Sequence, residues 1–240
     1  MKLIKLDAID STNDFLKGLS QNQSLENFTV VTAKTQTKGK GQMGSIWETE
    51  SGKNLIISIL IKESILNINE LFHLNVIVTV SIIQVLNTLK IPYLQIKWPN
   101  DIMSDTKKIA GILIENSIKE NEKIDSVIGI GLNINQTNFE KLPKASSLKN
   151  ITNKEFDVEE IIEKIVLKIE ENIKKNTISF FWEEYHRFLF KKGIPTLFEN
   201  PNKERFMGII ERVNPDGRLE VSLEDDSVKS FGIKEITMIY

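Results

Sequence analysis

The chain has 240 residues, 40% hydrophobic and 27% charged, the balance of a folded globular protein with room for one sizeable domain and a small satellite. A formal charge of −2 argues against a dedicated nucleic-acid binder, which needs a basic excess or stripe. The absence of cysteine excludes disulfides, a thiolate nucleophile and a cysteine-ligated metal.

The N-terminal Met-Lys-Leu-Ile-Lys-Leu-Asp has no apolar run of signal-peptide length, so a cytoplasmic protein is expected. Leu3 to Ile9 alternates as a strand does. Ser11 then reads as the N-cap of a helix with Asp14 at its third position, a shortened capping box. A helix start of this kind, rich in hydroxyls and amides, also suits a polar ligand. Phe28 to Ala33 is a β-branched strand that runs into Thr35-Gln-Thr-Lys-Gly-Lys-Gly-Gln-Met-Gly-Ser-Ile-Trp47. Glycines at 39, 41 and 44 make regular structure expensive there, but let the backbone fold closely around an anion beside the Lys38 and Lys40 charges. No arginine precedes Arg187, so an anion bound by the first three-quarters of the chain must meet lysine, backbone N–H groups or a metal ion.

Asn54 to Lys62 is the near-continuous apolar run of a strand buried on both faces. Asn69 to Leu89 is long enough for a buried helix, with Asn75, Thr79, Ser81, Gln84 and Asn87 interrupting it too often for a membrane span. His73 within it reads as a packed helical residue. Strands are expected over Leu94–Trp98, Lys108–Asn116 and Ser126–Ile134, with turns at Asp105-Thr106 and Lys119–Lys123. This run of hairpins indicates a mixed, largely antiparallel sheet of an α/β (α+β) protein. Asp157 caps an amphipathic helix, and Glu160 completes its capping box. Ile178 to Phe190 reads as a second helix with its aromatics turned inward. From Gly193, short β-like runs separated by turns such as Asn214-Pro-Asp-Gly217 suggest a small barrel docked on the main domain, dividing the chain into 1–190 and 193–240.

Two further motifs accompany the glycine loop. Lys97-Trp-Pro-Asn-Asp101 ends a strand, where Pro99 halts the ladder. Lys107-Lys-Ile-Ala-Gly-Ile-Leu-Ile-Glu115 opens a strand on a cation, with an Ala-Gly pair that leaves room beside the backbone. Each alone reads as an ordinary turn or buried strand; together and in this order they do not.

With Ser11-Thr12-Asn13, Gln36 and Gly129-Ile-Gly-Leu-Asn133, these motifs make the whole chain resemble the biotin–protein ligases. The resemblance implies a class II synthetase-like catalytic domain with a seven-stranded mixed sheet, followed by an SH3-like barrel. It implies that biotin and MgATP form biotinyl-5′-AMP, which then acylates a lysine on the carrier domain of a biotin-dependent carboxylase. Lys108 would be the electrostatic catalyst. Ser11, Thr12, Asn13, Gln36, Gly39, Lys40, Gly41, Gln42, Lys108 and Gly111 would bind biotin. Lys40, Trp47, Lys97, Asn100, Asp101, Lys108 and Asn133 would serve ATP, with Asp101 on Mg²⁺. The family loop commonly reads GRGRxG; Lys40 and Gln42 stand in place of its arginines, implying weaker retention of the adenylate. Because the chain opens on the catalytic strand, no DNA binding is expected; no membrane partner is expected either, and monomer and homodimer both fit. A lipoate or octanoate ligase and a non-catalytic biotin sensor are the competing readings.

Overall fold

The computed structural model describes residues 2–65, 71–118, 123–175 and 177–240. Seven strands form one sheet: β1 (Lys2–Ile9), β2 (Thr29–Gln36), β3 (Leu55–Ile65), β4 (Leu94–Lys97), β5 (Asp101–Ser104), β6 (Lys107–Ile118) and β7 (Ile124–Leu132). Their order is β1-β2-β3-β7-β6-β5-β4. Only β1 and β2 run parallel, joined by the helix α1 (Thr12–Asn22); every other pairing is antiparallel. The sheet is therefore mixed and largely antiparallel, as the run of hairpins predicts.

Two faces of this sheet have different duties. On one, α2 (Leu71–Thr88), α4 (Val158–Lys174) and α5 (Ile178–Arg187) cover Ile57, Ile59 and Ile61 of β3 in the main hydrophobic core. By length and composition α2 could cross a bilayer, yet it is a core helix, packed against α4 and α5 with Leu74, Val78, Ile82 and Leu86 buried. On the other face α1 buries Leu16 against Val31, Leu60 and Val127. Strand alternation sends Ile56, Ser58 and Leu60 to this second face.

The C-terminal segment forms a separate antiparallel sheet from β8 (Pro195–Glu199), β9 (Arg205–Val213), β10 (Leu219–Leu223), β11 (Val228–Phe231) and β12 (Thr237–Ile239), ordered β11-β10-β9-β8-β12. Phe198, Ile210, Val213, Leu219 and Val221 fill its interior, an arrangement that fits an SH3-like domain. It is tied to the first sheet by the Trp98 indole, whose Nε1 donates to Gly217 O at 2.9 Å. Gly217 itself abuts the Phe72 ring of α2.

Several details depart from the sequence expectations. Asp101 opens a short strand, β5, that only four residues and a preceding turn left unmarked. A five-residue helix, α3 (Leu148–Thr152), capped by the Ser147 hydroxyl, also went unforeseen. Asp157 caps α4 through Glu159 N and Glu160 N, but the Glu160 carboxylate pairs with Lys164 one turn on rather than closing a capping box. Phe181 and Tyr185 turn inward on α5, whereas Phe180 is exposed. Residues 69–70 and 119–122 of the expected second helix and hairpin turn lie outside the described residues.

Candidate functional site

The site is built on the α1 face of the sheet, where register lines up the smallest residues. Across the strands, Asp101 pairs with Gly111, Gly111 with Gly131, and Gly131 with Ile56. One row along, Leu113 opposes Gly129, and Gly129 opposes Ser58. Directly opposed antiparallel residues point to the same face. Three glycines therefore bare the sheet backbone beside α1, and a cavity of about 570 Å³ lies over them.

Its floor is polar. Ser11 caps α1, its hydroxyl accepting from Asp14 N at 3.3 Å, and Ser11, Thr12 and Asn13 are all buried. Gln36, at the end of β2, accepts through Oε1 from both Thr12 N (2.8 Å) and Thr12 Oγ1 (2.9 Å). The Ser58 hydroxyl reaches Thr12 Oγ1 at 2.8 Å and Asn13 Oδ1 at 2.5 Å. Asn13 Nδ2 in turn donates to Glu115 Oε2 at 2.8 Å. Gly129 is needed for this arrangement, because a Cβ there would stand 2.5 Å from Asn13 Oδ1.

Three strands away the lining becomes charged. Lys108 Nζ lies 2.6 Å from Asp101 Oδ1, and Lys97 Nζ lies 3.8 Å from Asp101 Oδ2. The Lys97 ammonium is pushed below its ordinary pKa, first by burial and then by the Lys108 and Lys144 charges, with Asp101 opposing. The Tyr240 ring sits 5.2 Å from Lys97 Nζ and 4.2 Å from Lys144 Nζ. Asn100 is buried in the turn between β4 and β5, its side chain donating to Ile112 O while Ile112 N donates back to Asn100 O. That reciprocal pair fixes the turn, and with it Asp101, against β6.

Trp47 connects the two regions. Its indole covers the opposed Gly111–Gly131 pair, with Lys108 Nζ 5.5 Å from the ring centre. Its Nε1 is buried without a hydrogen-bond partner among the described residues. The glycine loop reaches this position through a bridge between Lys40 and Ile46 and a short turn at Gln42–Gly44, where Met43 and Gly44 take φ of 53° and 82°. Lys40 extends to Asp14 Oδ2 at 2.6 Å, and Lys234 of the C-terminal unit donates to Met43 O at 2.6 Å.

Of the residues expected from sequence, Ser11, Thr12, Asn13, Gln36, Lys40, Gly41, Gln42, Trp47, Lys97, Asn100, Asp101, Lys108 and Gly111 all line the cavity. Gly39 and Asn133 do not. Gly39 is a packing position, its missing Cβ directed 2.3 Å from Trp47 O. Asn133 is buried behind β7, donating to Ser146 O to hold the 146–148 segment. Sequence reasoning passed over Ser58, although a lone serine in the apolar run of β3 was a visible signal. It also passed over Gly129 and Gly131 as lining residues, and over Ile233, Lys234 and Met238, which only the docking of the second unit brings to the rim.

No group of three or more His, Asp or Glu side chains able to hold a metal occurs among the described residues. Asp101 is the carboxylate that lines the cavity. One carboxylate is what Mg²⁺ needs when substrate phosphates supply the remaining oxygens, and too little for a resident metal centre.

Residues 6–133 match the biotin/lipoate A/B protein ligase family. A bifunctional ligase/repressor BirA of Bacillus spizizenii is 30% identical over 193 residues, covering 76% of this chain and 59% of its own length. The chain thus spans about three-fifths of that relative. A biotin–[acetyl-CoA-carboxylase] ligase of Mycobacterium tuberculosis is 25% identical over 195 residues, covering 79% of this chain and 71% of its own. Among solved structures, the biotin protein ligase of Aquifex aeolicus in complex with biotin and ATP is 25% identical and superposes with a TM-score of 0.82 over 99% of this chain and 98% of the other. With the family match spanning more than half of the chain, and a solved ligase sharing its architecture almost end to end, the protein belongs to the biotin/lipoate A/B protein ligase family.

Proposed function

We propose that the chain is an ATP-dependent biotin–protein ligase. It would activate biotin as biotinyl-5′-AMP and pass the acyl group to a lysine of a biotin carrier domain, such as that of an acyl-CoA carboxylase. The observation that carries this reading is the separation of two chemistries within one cavity. The polar floor around Thr12, Asn13, Gln36 and Ser58 lies three strands from the Asp101 pairs of Lys97 and Lys108, about 14 Å at the usual strand spacing. An elongated ligand with a small polar ring at one end and a carboxylate at the other spans that distance.

In the first half-reaction a biotin carboxylate oxygen attacks the α-phosphorus of ATP, and the bond to pyrophosphate breaks. Two anions must meet, and their repulsion is the obstacle. Lys108, already oriented by Asp101, supplies a fixed positive charge between them without reorganisation at the moment of reaction. Lys97 adds a second charge close by. MgATP is the substrate, and Asp101 would share its ion with the phosphates. The floor satisfies the ureido group, whose desolvation without partners is costly. The loop carrying Lys40 and Gln42 would close over the anhydride and exclude water. In the second half-reaction the carrier amine attacks the acyl carbon, AMP departs, and the amine's proton passes to solvent.

The test is labelling of a biotin carrier domain by the purified chain with ATP and biotin. Transfer is expected with biotin and not with lipoate or octanoate. Transfer of lipoate alone would assign the other branch of the family; biotin binding without ATP consumption would make the protein a sensor.

A further inference from the structure

Between the floor and the glycine loop runs a continuous chain of polar contacts whose middle members, Glu115, Lys17 and Asp14, line no part of the cavity. Asn13 donates to Glu115 at 2.8 Å, and Glu115 pairs with Lys17 at 2.5 Å. Lys17 lies 3.4 Å from Asp14 Oδ1, and Asp14 Oδ2 lies 2.6 Å from Lys40 Nζ. Lys40 lines the cavity, whereas Asp14, one turn into α1, does not. The cation expected to close on an anionic ligand is therefore paired with a carboxylate just outside the site.

We infer that Asp14 is a positioning residue for the glycine loop: it parks Lys40 at the cavity mouth and releases it when an anionic ligand takes its place. The inference rests on the ligase reading for the identity of that ligand, but not for the parking contact. Three features make the exchange inexpensive. Both partners are close to half exposed, so their attraction is weakened by solvent. When Lys40 leaves, Asp14 keeps Lys17, whose position is fixed independently by Glu115. The loop around Lys40 contains Gly39, Gly41 and Gly44, which let the backbone follow the side chain. The Lys40 hydrogen bond also holds the Asp14 carboxyl below its usual range, so the latch is charged at neutral pH. The consequence is selective: an anionic ligand competes for Lys40, whereas a neutral analogue leaves it parked.

The experiment compares the full chain with Asp14→Asn, Lys40→Met and the double variant in two measurements. In the first, trypsin is applied without ligand and cleavage after Lys38 is followed. Asp14→Asn is expected to raise the cleavage rate about two- to fivefold, the scale of one exposed ion pair. The same change in the Lys40→Met background should be without effect. In the second, calorimetric titration with biotin should show Asp14→Asn binding tighter by a similar factor, again only when Lys40 is present. Unchanged cleavage, or an effect that persists in Lys40→Met, overturns the latch and leaves Asp14 as a helix-capping acid. Weaker biotin binding in Asp14→Asn overturns the release. Failure of the wild-type chain to bind biotin, with the cleavage result intact, refutes the ligand reading and its handover while the parking contact stands.

Discussion

The indole of Trp47 occupies the space that a side chain on Gly131 would need: a Cβ at that glycine would stand 2.3 Å from Trp47 Cε2. Gly111 faces the same ring, with a Cβ position 3.3 Å from Trp47 Cζ3. The sheet is thus stripped of side chains at the point where the loop returns to it. Gly131→Ala is expected to displace the indole and lower nucleotide affinity on the order of tenfold, with a stability cost of about 1–3 kcal/mol from overpacking. Calorimetric binding and denaturant melts of the same variant separate the two effects; unaltered binding would mean that Trp47 has no part in the ligand site.

Lys97 trades stability for charge. Its folded pKa lies below the ordinary lysine value because of burial, so between the folded and unfolded pKa the unfolded chain binds more protons. Stability therefore rises as pH increases through the folded value, and the charged form carries a cost below it. Lys97→Met should melt higher at neutral pH, because the cost of burying the charge is gone, while kcat/KM for ATP falls. In the wild type the alkaline limb of that rate should lie below the free-lysine value. Asp101→Asn, which removes the one opposing charge, should move the limb lower still. A limb that stays fixed in Asp101→Asn would show that Lys97 does not govern it.

Trp98 supplies one of the directional bonds that dock the C-terminal sheet, alongside that of Lys234 to Met43 O. Trp98→Phe keeps the ring but deletes the donor to buried Gly217 O, which should cost about 1–3 kcal/mol in urea unfolding. A change under a few tenths would mean that the other contacts between the two units hold them without this bond.

The glycine loop carries Lys40 and Gln42, and neither side chain offers an anion a bidentate fork. Gln42→Arg is expected to slow release of the adenylate measured without acceptor, by several-fold. Equal release from both proteins would show that the loop's composition does not control retention.

Much of the site could be read from sequence because its residues come in contiguous runs: Ser11, Thr12 and Asn13 form a single helix start, and Lys97 to Asp101 a strand end and turn. Lys108 was likewise marked by the strand it opens. What stayed hidden depends on register. Nothing local tells that Ser58 opposes Gly129, or that Gly111 opposes Gly131, until β3, β6 and β7 are paired. Asp101 reads from sequence as part of a turn, because four residues are too few to show strand periodicity against a preceding proline. Asn133 follows a conspicuous Gly-x-Gly motif, but strand alternation and the bond to Ser146 O turn it away from the cavity. Lys234 reaches the site only through tertiary docking, which no pattern in its own segment announces.

In the proposed reaction the ammonium of Lys108 neutralises the encounter of a carboxylate with a phosphate. Biotin-dependent exchange of labelled pyrophosphate into ATP isolates that step from transfer to a carrier. With Lys108→Met, exchange should fall on the order of a hundredfold or more, the scale of one lost transition-state contact, while the melting curve changes little. Exchange at the wild-type rate in that variant would show that Lys108 has no part in activating the carboxylate.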